Sequence, residues 1–195
     1  DVAAMIALYR PGPLAHIPRY IRCKHGLEPI EYPHPLLGPI LQDTYGIIVY
    51  QDQVLQVVRA VAGYSLGQAD ILRKAMGKKV PEIMAKERSR FVKGAKANGL
   101  SEAEATAIFD IIEPFAGYAF NRSHAYCYAL VACRTAYLKA RYPVEYMVVV
   151  LSTAAGNSEK VSSAIAECRR LGIQTLPPDI NRSAAGFTVE NVQEQ

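Results

Sequence analysis

The residues best suited to chemistry lie between positions 115 and 125, in the sequence FAGYAFNRSHA. An amide, a cation, a hydroxyl and an imidazole stand side by side there, from Asn121 to His124. Asn121 and Ser123 are residue types that cap helices, and an apolar run follows from Tyr126. The free N–H groups and the dipole of a helix N-terminus favour negative charge. The segment therefore predicts either a site for a phosphorylated ligand or an ordinary capped helix start.

A second candidate is a run of positive charge between Arg73 and Lys96. This window holds nine Lys and Arg residues against two Glu, a net charge of +7, whereas the whole chain carries +4. A basic patch on a body of little opposite charge predicts a polyanionic partner. For residues 86–96, a solvated helix face is an equally good interpretation. For residues 73–79 that interpretation is weaker, because four cations lie close together and Asp70 is the only acid nearby.

Metal-dependent phosphoryl transfer is not predicted for this chain. Such chemistry uses paired carboxylates that hold two cations, whereas the sequence has no Asp-x-Asp and its acids are scattered. The Gly-Lys-Lys at residues 77–79 lacks the Ser or Thr and the earlier Gly of a phosphate-binding loop. Ser123, His124 and Asp179 do not make a convincing catalytic triad. We expect a chain that binds phosphates and has no metal chemistry of its own.

Composition places the chain among folded proteins of a reducing compartment. Its 195 residues, half of them hydrophobic, suffice for one domain or for one domain and part of another. No apolar run approaches the ~20 residues that cross a bilayer, so no membrane partner is expected. The cysteines lack metal-site spacing, and Cys127 and Cys133 are expected to be buried thiols of a cytoplasmic protein. Without an initiator Met or a signal peptide, the chain resembles the interior of a longer protein.

The elements that position the candidate residues are predicted to be mainly α-helices, with at most a short strand or two. The Pro and Gly residues predict an irregular loop with short elements over residues 14–44. The apolar segment at residues 46–50, GIIVY, predicts a short strand or a buried turn of helix. Capping signals predict helices that begin after Ser65, at Pro81 and at the capping box of residues 101–104.

Toward the C-terminus the pattern predicts two further elements and a boundary. Residues 144–151 predict a buried helix or strand, and Ser158 is expected to cap a helix that ends near Leu171. One Gly and two Pro residues beyond that point mark a boundary. We therefore expect one domain over residues 1–172, and a connection toward a further segment over residues 173–195.

Six longer motifs, in order along nearly the whole chain, resemble one protein family. They are LYRPGPL at 8–14, YGIIVYQDQV at 45–54, GYSLGQADILRKAMGKK at 63–79, FAGYAFNRSH at 115–124, YLKARYPVEY at 137–146 and LPPDIN at 176–181. These motifs are similar to those of the bacterial replicative DNA polymerase III α subunit, a C-family polymerase. Their order and length make the match far more specific than any single short pattern.

The resemblance implies the helical fingers domain of such a polymerase, with residues 1–13 at its junction with the palm. It implies that the catalytic aspartates, and the Mg²⁺ that they bind, belong to the palm, so no catalytic or metal-binding residue is expected here. Two of the motifs imply nucleotide-binding residues, which map onto Arg73, Lys74, Lys78, Asn121, Arg122, Ser123 and His124. Two positions depart from the usual pattern, since Ala119 and Arg122 stand where the family commonly has Gly and Lys.

The basic window supplies the candidates for DNA contact. These residues are Lys79, Lys86, Arg90 and Lys93, and their charge predicts binding that weakens with salt. Together with the resemblance they predict a polymerase fingers region that binds the incoming deoxynucleoside triphosphate and template DNA during bacterial chromosome replication. The expected partners are primer–template DNA, deoxynucleoside triphosphates and the other subunits of the polymerase holoenzyme. The isolated fragment is expected to be inactive.

Two other functions remain open from the sequence. One is a non-catalytic helical module that binds nucleic acid without any dependence on a nucleotide. The other is a fragment whose basic patch meets an acidic partner protein, in which case DNA is not bound at all. The dependence of DNA binding on salt and on nucleotide separates the three hypotheses.

Overall fold

The computed structural model describes residues 1–78 and 81–190, with side chains described except at 76–78, 81 and 116–118. The described residues are mainly helical, as predicted, and contain no β-strand. The α-helices are α1 Val2–Leu8, α2 Ile17–Lys24, α3 Gly38–Leu41, α4 Gln51–Ala62, α5 Leu66–Lys78, α6 Pro81–Ala97, α7 Glu102–Tyr118, α8 Arg122–Arg141, α9 Pro143–Ala154 and α10 Ser158–Arg170. Single 3-10 turns occur at Pro13–His16, Pro35–Leu37 and Gln42–Thr44. None of the described helices is both long and apolar enough to cross a membrane.

The chain divides into two compact units, Asp1–Ala129 and the part from Leu130 onward, and the division falls within α8. In the first unit, α4 to α7 pack on one another around the main core. At its centre the rings of Phe91 and Phe109 lie 5.4 Å apart, one from α6 and one from α7. Arg88 of α6 ties the same two helices together at the surface through Asp110 and Glu113 of α7.

Local capping signals place several helix starts where the sequence predicts them. Ser101 Oγ accepts from the backbone N–H of Glu104, and the Glu104 carboxylate accepts from the N–H of Ser101, which is the predicted capping box. Ser65 and Gln68 exchange the same two bonds at the start of α5. The prediction that Ser158 caps α10 was wrong, because Asn157 Oδ1 accepts from the N–H of Lys160 and Ser158 is the first helical residue.

The apolar segment at residues 46–50 is neither a strand nor a turn of helix, so both of the predicted alternatives were wrong. It begins in a turn at Gly46, has no regular secondary structure over residues 47–49, and makes one isolated bridge, between Tyr50 and Phe120. Ile48 belongs to the core formed by α4 to α7, while Ile47 and Tyr50 belong to a second cluster that includes α1. Side chains on both faces, rather than neighbouring strands, therefore bury this segment.

The second unit is built around α9 and α10. Met147 and Leu151 of α9 pack against Ala164 and Cys168 of α10. The predicted helix or strand at residues 144–151 is thus part of a helix.

The cysteines differ from the prediction in part. Cys23 and Cys168 are buried, but Cys127 and Cys133 of α8 are exposed, so the expectation that they are buried thiols was wrong. The physical reason is that α8 is apolar around much of its circumference, and of its described side chains only Ala125 is fully enclosed.

Candidate nucleotide-binding site

The backbone of Phe120 fixes the start of α8 against the start of α4. The N–H of Phe120 donates to the carbonyl oxygen of Val49 at 3.1 Å, and the N–H of Gln51 donates to the carbonyl oxygen of Phe120 at 2.9 Å. Two motifs that lie far apart in the sequence, residues 45–54 and 115–124, therefore meet at this bridge. It places Asn121 and the residues behind it at a defined position.

Asn121 caps α8, as the sequence predicts. Its Oδ1 accepts from the backbone N–H of His124 at 2.9 Å, and its carbonyl oxygen accepts from the N–H of Ala125 at 3.1 Å. Ala125 is fully buried in the second core cluster, whereas the side chains of Asn121, Ser123 and His124 are exposed. The first turn thus presents an amide, a hydroxyl and an imidazole at the positive end of the helix.

The imidazole of His124 lies in a row of rings. Its centroid is 5.4 Å from that of Phe120, which precedes α8, and 4.6 Å from that of Tyr128, four residues further along the helix. The guanidinium of Arg10 covers the ring of Phe120 at 4.6 Å. These contacts orient the ring of His124 along the surface of α8, where it can donate a hydrogen bond to a phosphate.

Arg122 points into a cluster of charges and rings. Its guanidinium lies 3.3 Å from a carboxylate oxygen of Asp52 and 3.5 Å from one of Asp43. It also covers the rings of Tyr50 and Tyr126, at 5.1 and 5.7 Å from the ring centroids. Hydrogen bonding to Tyr126 and then to Asp52 raises the pKa of Arg122, while burial raises the pKa of Tyr50 to about 12. Arg122 is therefore engaged within the protein.

Arg73 and Lys74 lie side by side on α5 and share one carboxylate. Arg73 Nη2 is 2.9 Å from Asp70 Oδ1, and Lys74 Nζ is 2.7 Å from Asp70 Oδ2. These hydrogen bonds, first that of Lys74 and then that of Arg73, hold the pKa of Asp70 below its ordinary value. Lys74 is the more exposed of the two cations. Lys78 ends α5 without a described side chain, and Lys79 lies outside the described residues.

Lys86, Arg90 and Lys93 project from one face of α6, since they are four and three residues apart. All three side chains are exposed. Arg90 covers the ring of Tyr64 at 5.0 Å and lies 4.0 Å from Glu87. Within the described part of the chain, Lys86 and Lys93 have no carboxylate within ion-pair distance. Their charges are therefore available to a partner.

The structure brings together some predicted site residues and not others. Residues 121–124 form one turn that is joined to the start of α4, and the Arg73–Lys74 pair forms a second group on α5. No hydrogen bond or ion pair among the described residues connects these two groups. Sequence reasoning missed the residues that hold them, which are Gln53, Asp43, Asp52, Asp70 as a counter-ion, and Tyr128. The one signal in the sequence was the position of Gln53, which stands four residues before Val57 on the apolar face of α4.

The described residues offer no group of three or more His, Cys, Asp or Glu side chains that could hold a metal ion. The acids nearest the candidate residues, Asp43, Asp52 and Asp70, each pair with Arg or Lys. Their chemistry does not fit an Mg²⁺ site within this part of the chain.

Comparisons with known proteins bear on both groups. A sequence model described as the bacterial DNA polymerase III alpha subunit finger domain matches residues 1–99. The chain is 55% identical to the DNA polymerase III subunit alpha of Thermus aquaticus over 194 residues, which cover 97% of this chain. It is 48% identical to the corresponding protein of Bacillus subtilis over 191 residues, and 50% identical to that of Escherichia coli K12 over 198 residues, with 98% of this chain covered in each case. The chain spans only 16–17% of the length of these relatives.

Proposed function

Because this chain belongs to the family of bacterial DNA polymerase III alpha subunit finger domains, we propose that it is the fingers region of a DNA-directed DNA polymerase. In the whole subunit it binds the incoming deoxynucleoside triphosphate and template DNA during chromosome replication. The subunit works in the cytoplasm, on primer–template DNA and with the other subunits of the holoenzyme. The fingers region spans residues 1–172, with its palm junction at 1–13, and residues 173–195 lead toward the next domain.

The observation that best supports triphosphate binding is the Arg73–Lys74 pair. One carboxylate, Asp70, holds both cations on the same surface of α5, so two strong donors are presented together. A triphosphate gains negative charge on its departing phosphates as the bond to the α-phosphate breaks. Cations positioned in advance stabilise that charge in the transition state. Lys78, at the end of the same helix, adds a third positive charge.

The first turn of α8 supplies the second part of the nucleotide site. Asn121, Ser123 and His124 offer exposed polar groups at the positive end of a long helix. Such an end attracts phosphate, and His124 is already oriented by its neighbouring rings. Mg²⁺ bound in the palm supplies the Lewis-acid chemistry of the reaction. The residues of this chain bind and orient the nucleotide.

The basic face of α6, formed by Lys86, Arg90 and Lys93, is proposed to follow the phosphates of the template duplex; Lys79, outside the described residues, is proposed as a further contact. Two of these lysines lack an internal counter-ion among the described residues. Contacts of this kind fix the register of a protein on DNA without reading its sequence. This face also fits the alternative function, a non-catalytic nucleic-acid-binding module, and the nucleotide site is what separates the two.

Single-nucleotide incorporation by the full-length subunit tests the proposal. Arg73→Ala and Lys74→Ala each remove one charge-assisted contact, so kcat/KM for the correct nucleotide is expected to fall about 10- to 100-fold. Arg59→Ala is the matched control, because Arg59 is an exposed cation on α4 that no hydrogen bond or ion pair among the described residues joins to either group. Unchanged kcat/KM in the double variant, with DNA binding retained, would instead favour the non-catalytic module.

A further inference from the structure

We propose that Arg122 is a positioning residue that holds the first turn of α8 in place, and that it does not itself bind phosphate. The inference rests on the proposed function, because the residues that it positions, Asn121, Ser123 and His124, are proposed nucleotide contacts. It separates Arg122 from its neighbours in the same motif, although all four were expected from the sequence to meet the nucleotide.

The first argument is where the partners of Arg122 lie in the chain. Asp52 is 70 residues away and Asp43 is 79 residues away. The cation Arg73, by contrast, pairs with a carboxylate three residues away on its own helix. An ion pair within one helix leaves the position of that helix free. The pairs of Arg122 fix α8 against α4 and against the turn that contains Asp43.

The second argument is the local charge. One guanidinium lies between two carboxylates, so the cluster of Arg122, Asp43 and Asp52 carries a net charge of −1 at neutral pH. A triphosphate that approached Arg122 would meet both carboxylates, and a like charge at close range disfavours binding. Arg73 and Lys74 share a single carboxylate, so their cluster carries +1. The α5 group attracts an anion, whereas the Arg122 cluster repels it.

The third argument is the surroundings of the guanidinium. Only 33% of the Arg122 side chain is exposed, and its planar group covers two tyrosine rings. Planar stacking of this kind suits Arg and is lost if the group turns outward. Its Nη1 lies 3.3 Å from Asp52 and its Nη2 lies 3.5 Å from Asp43, so one guanidinium meets both acids through separate nitrogens.

The geometry explains how the ion pairs of Arg122 help to hold Asn121 in place. On one side of Asn121, the backbone of Phe120 is bonded to Val49 and Gln51. On the other side, Arg122 is paired with Asp52 of α4. The capping residue is therefore attached to the same part of α4 from both directions. Loss of the Arg122 pairs leaves the backbone bridge and the buried Ala125 to hold the first turn of α8, so its exposed polar side chains are less firmly positioned.

A double-mutant cycle in the full-length subunit tests this proposal. Arg122→Met, which keeps an unbranched stem without the charge, the isosteric Asp52→Asn and their combination are compared by kcat/KM for single-nucleotide incorporation. Each single change is expected to lower kcat/KM roughly tenfold, and the double variant to lose no more than the worse single variant, because both remove one shared interaction. Arg59→Met is the control for loss of an exposed cation, and thermal unfolding of each variant monitors folding.

Removing a carboxylate distinguishes direct phosphate binding by Arg122 from a positioning role, because the two hypotheses predict opposite effects on the reaction with the nucleotide. If Arg122 bound phosphate directly, Asp52→Asn and Asp43→Asn would each remove a carboxylate that competes with the phosphate, and KM for the nucleotide would fall. A positioning role for Arg122 predicts a lower kcat/KM instead. Asp43 is the safer variant for folding, because 68% of its side chain is exposed. A lower KM in Asp43→Asn, with a raised KM in Asn121→Ala, would overturn the inference alone. An unchanged KM in both Asn121→Ala and Ser123→Ala would overturn the inference and the proposed role of α8 together.

Discussion

The side chain of Gln53 accepts a hydrogen bond from the backbone N–H of Tyr50 at 3.0 Å, and a second from Val49 at 2.9 Å. Its amide nitrogen donates to Thr44 Oγ1 at 2.8 Å and to the carbonyl oxygen of Ile40. Gln53 is fully buried, so these bonds take the place of water. The side-chain amide of Gln53 thus holds residues 49–50 in place, and the backbone of Phe120, just before α8, is bonded to the same segment.

Gln53→Leu is expected to destabilise the chain by about 2–4 kcal/mol, because the buried N–H groups of Val49 and Tyr50 lose their acceptor and Thr44 Oγ1 loses a donor, although it keeps the carbonyl oxygens of Leu41 and Ile47. Urea denaturation of the chain measures the change in the free energy of unfolding. Gln56→Leu is the matched control, since Gln56 lies on the same helix with its side chain exposed. Equal stability of the two variants would show that the bonds of Gln53 contribute little.

The close contact between α4 and α6 gives a second prediction. A Cβ at Gly94 would overlap the backbone carbonyl oxygen of Ala62. Gly94→Ala is therefore expected to destabilise the chain by about 1–3 kcal/mol through overpacking, although Ala favours helices. Gly67→Ala, in α5 with open space around it, is expected to stabilise by about 0.5–1 kcal/mol. Opposite shifts in urea midpoint check both expectations, and a stabilising Gly94→Ala would contradict the packing argument.

Helix positions were largely predictable from the sequence because their signals are local. Ser65, Pro81 and the Ser101–Glu104 capping box act on backbone groups within one turn, so a short window contains all the information. The conformation of residues 46–50 depends instead on Gln53 and on Phe120, which lies 70 residues further along the chain. No periodicity in a five-residue apolar run can report such a partner.

The exposure of the thiols yields a third prediction. Cys127 and Cys133 are exposed, whereas Cys23 and Cys168 are buried, and burial raises the pKa of Cys168. Two of the four thiols are therefore expected to react rapidly with Ellman's reagent in the native chain, and the other two only after denaturation. Substituting Ser for Cys127 and Cys133 should abolish the rapid phase. If all four thiols reacted slowly with the reagent, Cys127 and Cys133 of α8 would be buried in the native chain, contrary to this prediction.

The candidate site was only partly predictable from the sequence. The types of Asn121, Ser123 and His124 and their place at a helix start are visible in eleven consecutive residues. The ion pairs of Arg122 with Asp43 and Asp52 are not visible there, because these two acids come from another part of the chain. A cation in a motif of polar residues is easily interpreted as a ligand, and only its tertiary partners show that its charge is already compensated.

Glu167 gives a prediction for pH. Its hydrogen bonds, first with Arg170 and then with Lys139, lower its pKa from 4.5 to about 2. A depressed folded-state pKa contributes stability above the unfolded value, and this contribution is lost as pH falls from about 4.5 to about 2. The difference in thermal midpoint between the wild-type chain and Glu167→Gln should therefore be present at pH 7 and shrink through that interval. A difference that stays constant down to pH 2 would exclude these ion pairs as its cause.

The exposed lysines of α6 lead to a fifth prediction, which concerns the salt dependence of DNA binding. If Lys86 and Lys93 contact backbone phosphates, each releases counter-ions on binding, so the double Ala variant should bind primer–template DNA less tightly. The slope of log affinity against log salt should become shallower by about 1.8, or ~0.9 for each lost contact. Arg59→Ala/Lys160→Ala removes the same net charge from exposed positions that have no ion pair among the described residues, and it controls for the overall field. If the control variant shows the same change in slope, long-range charge rather than contact at α6 determines DNA affinity. A slope changed only in the Lys86/Lys93 variant places phosphates on this face, since screening at physiological salt limits charge effects to about 8 Å.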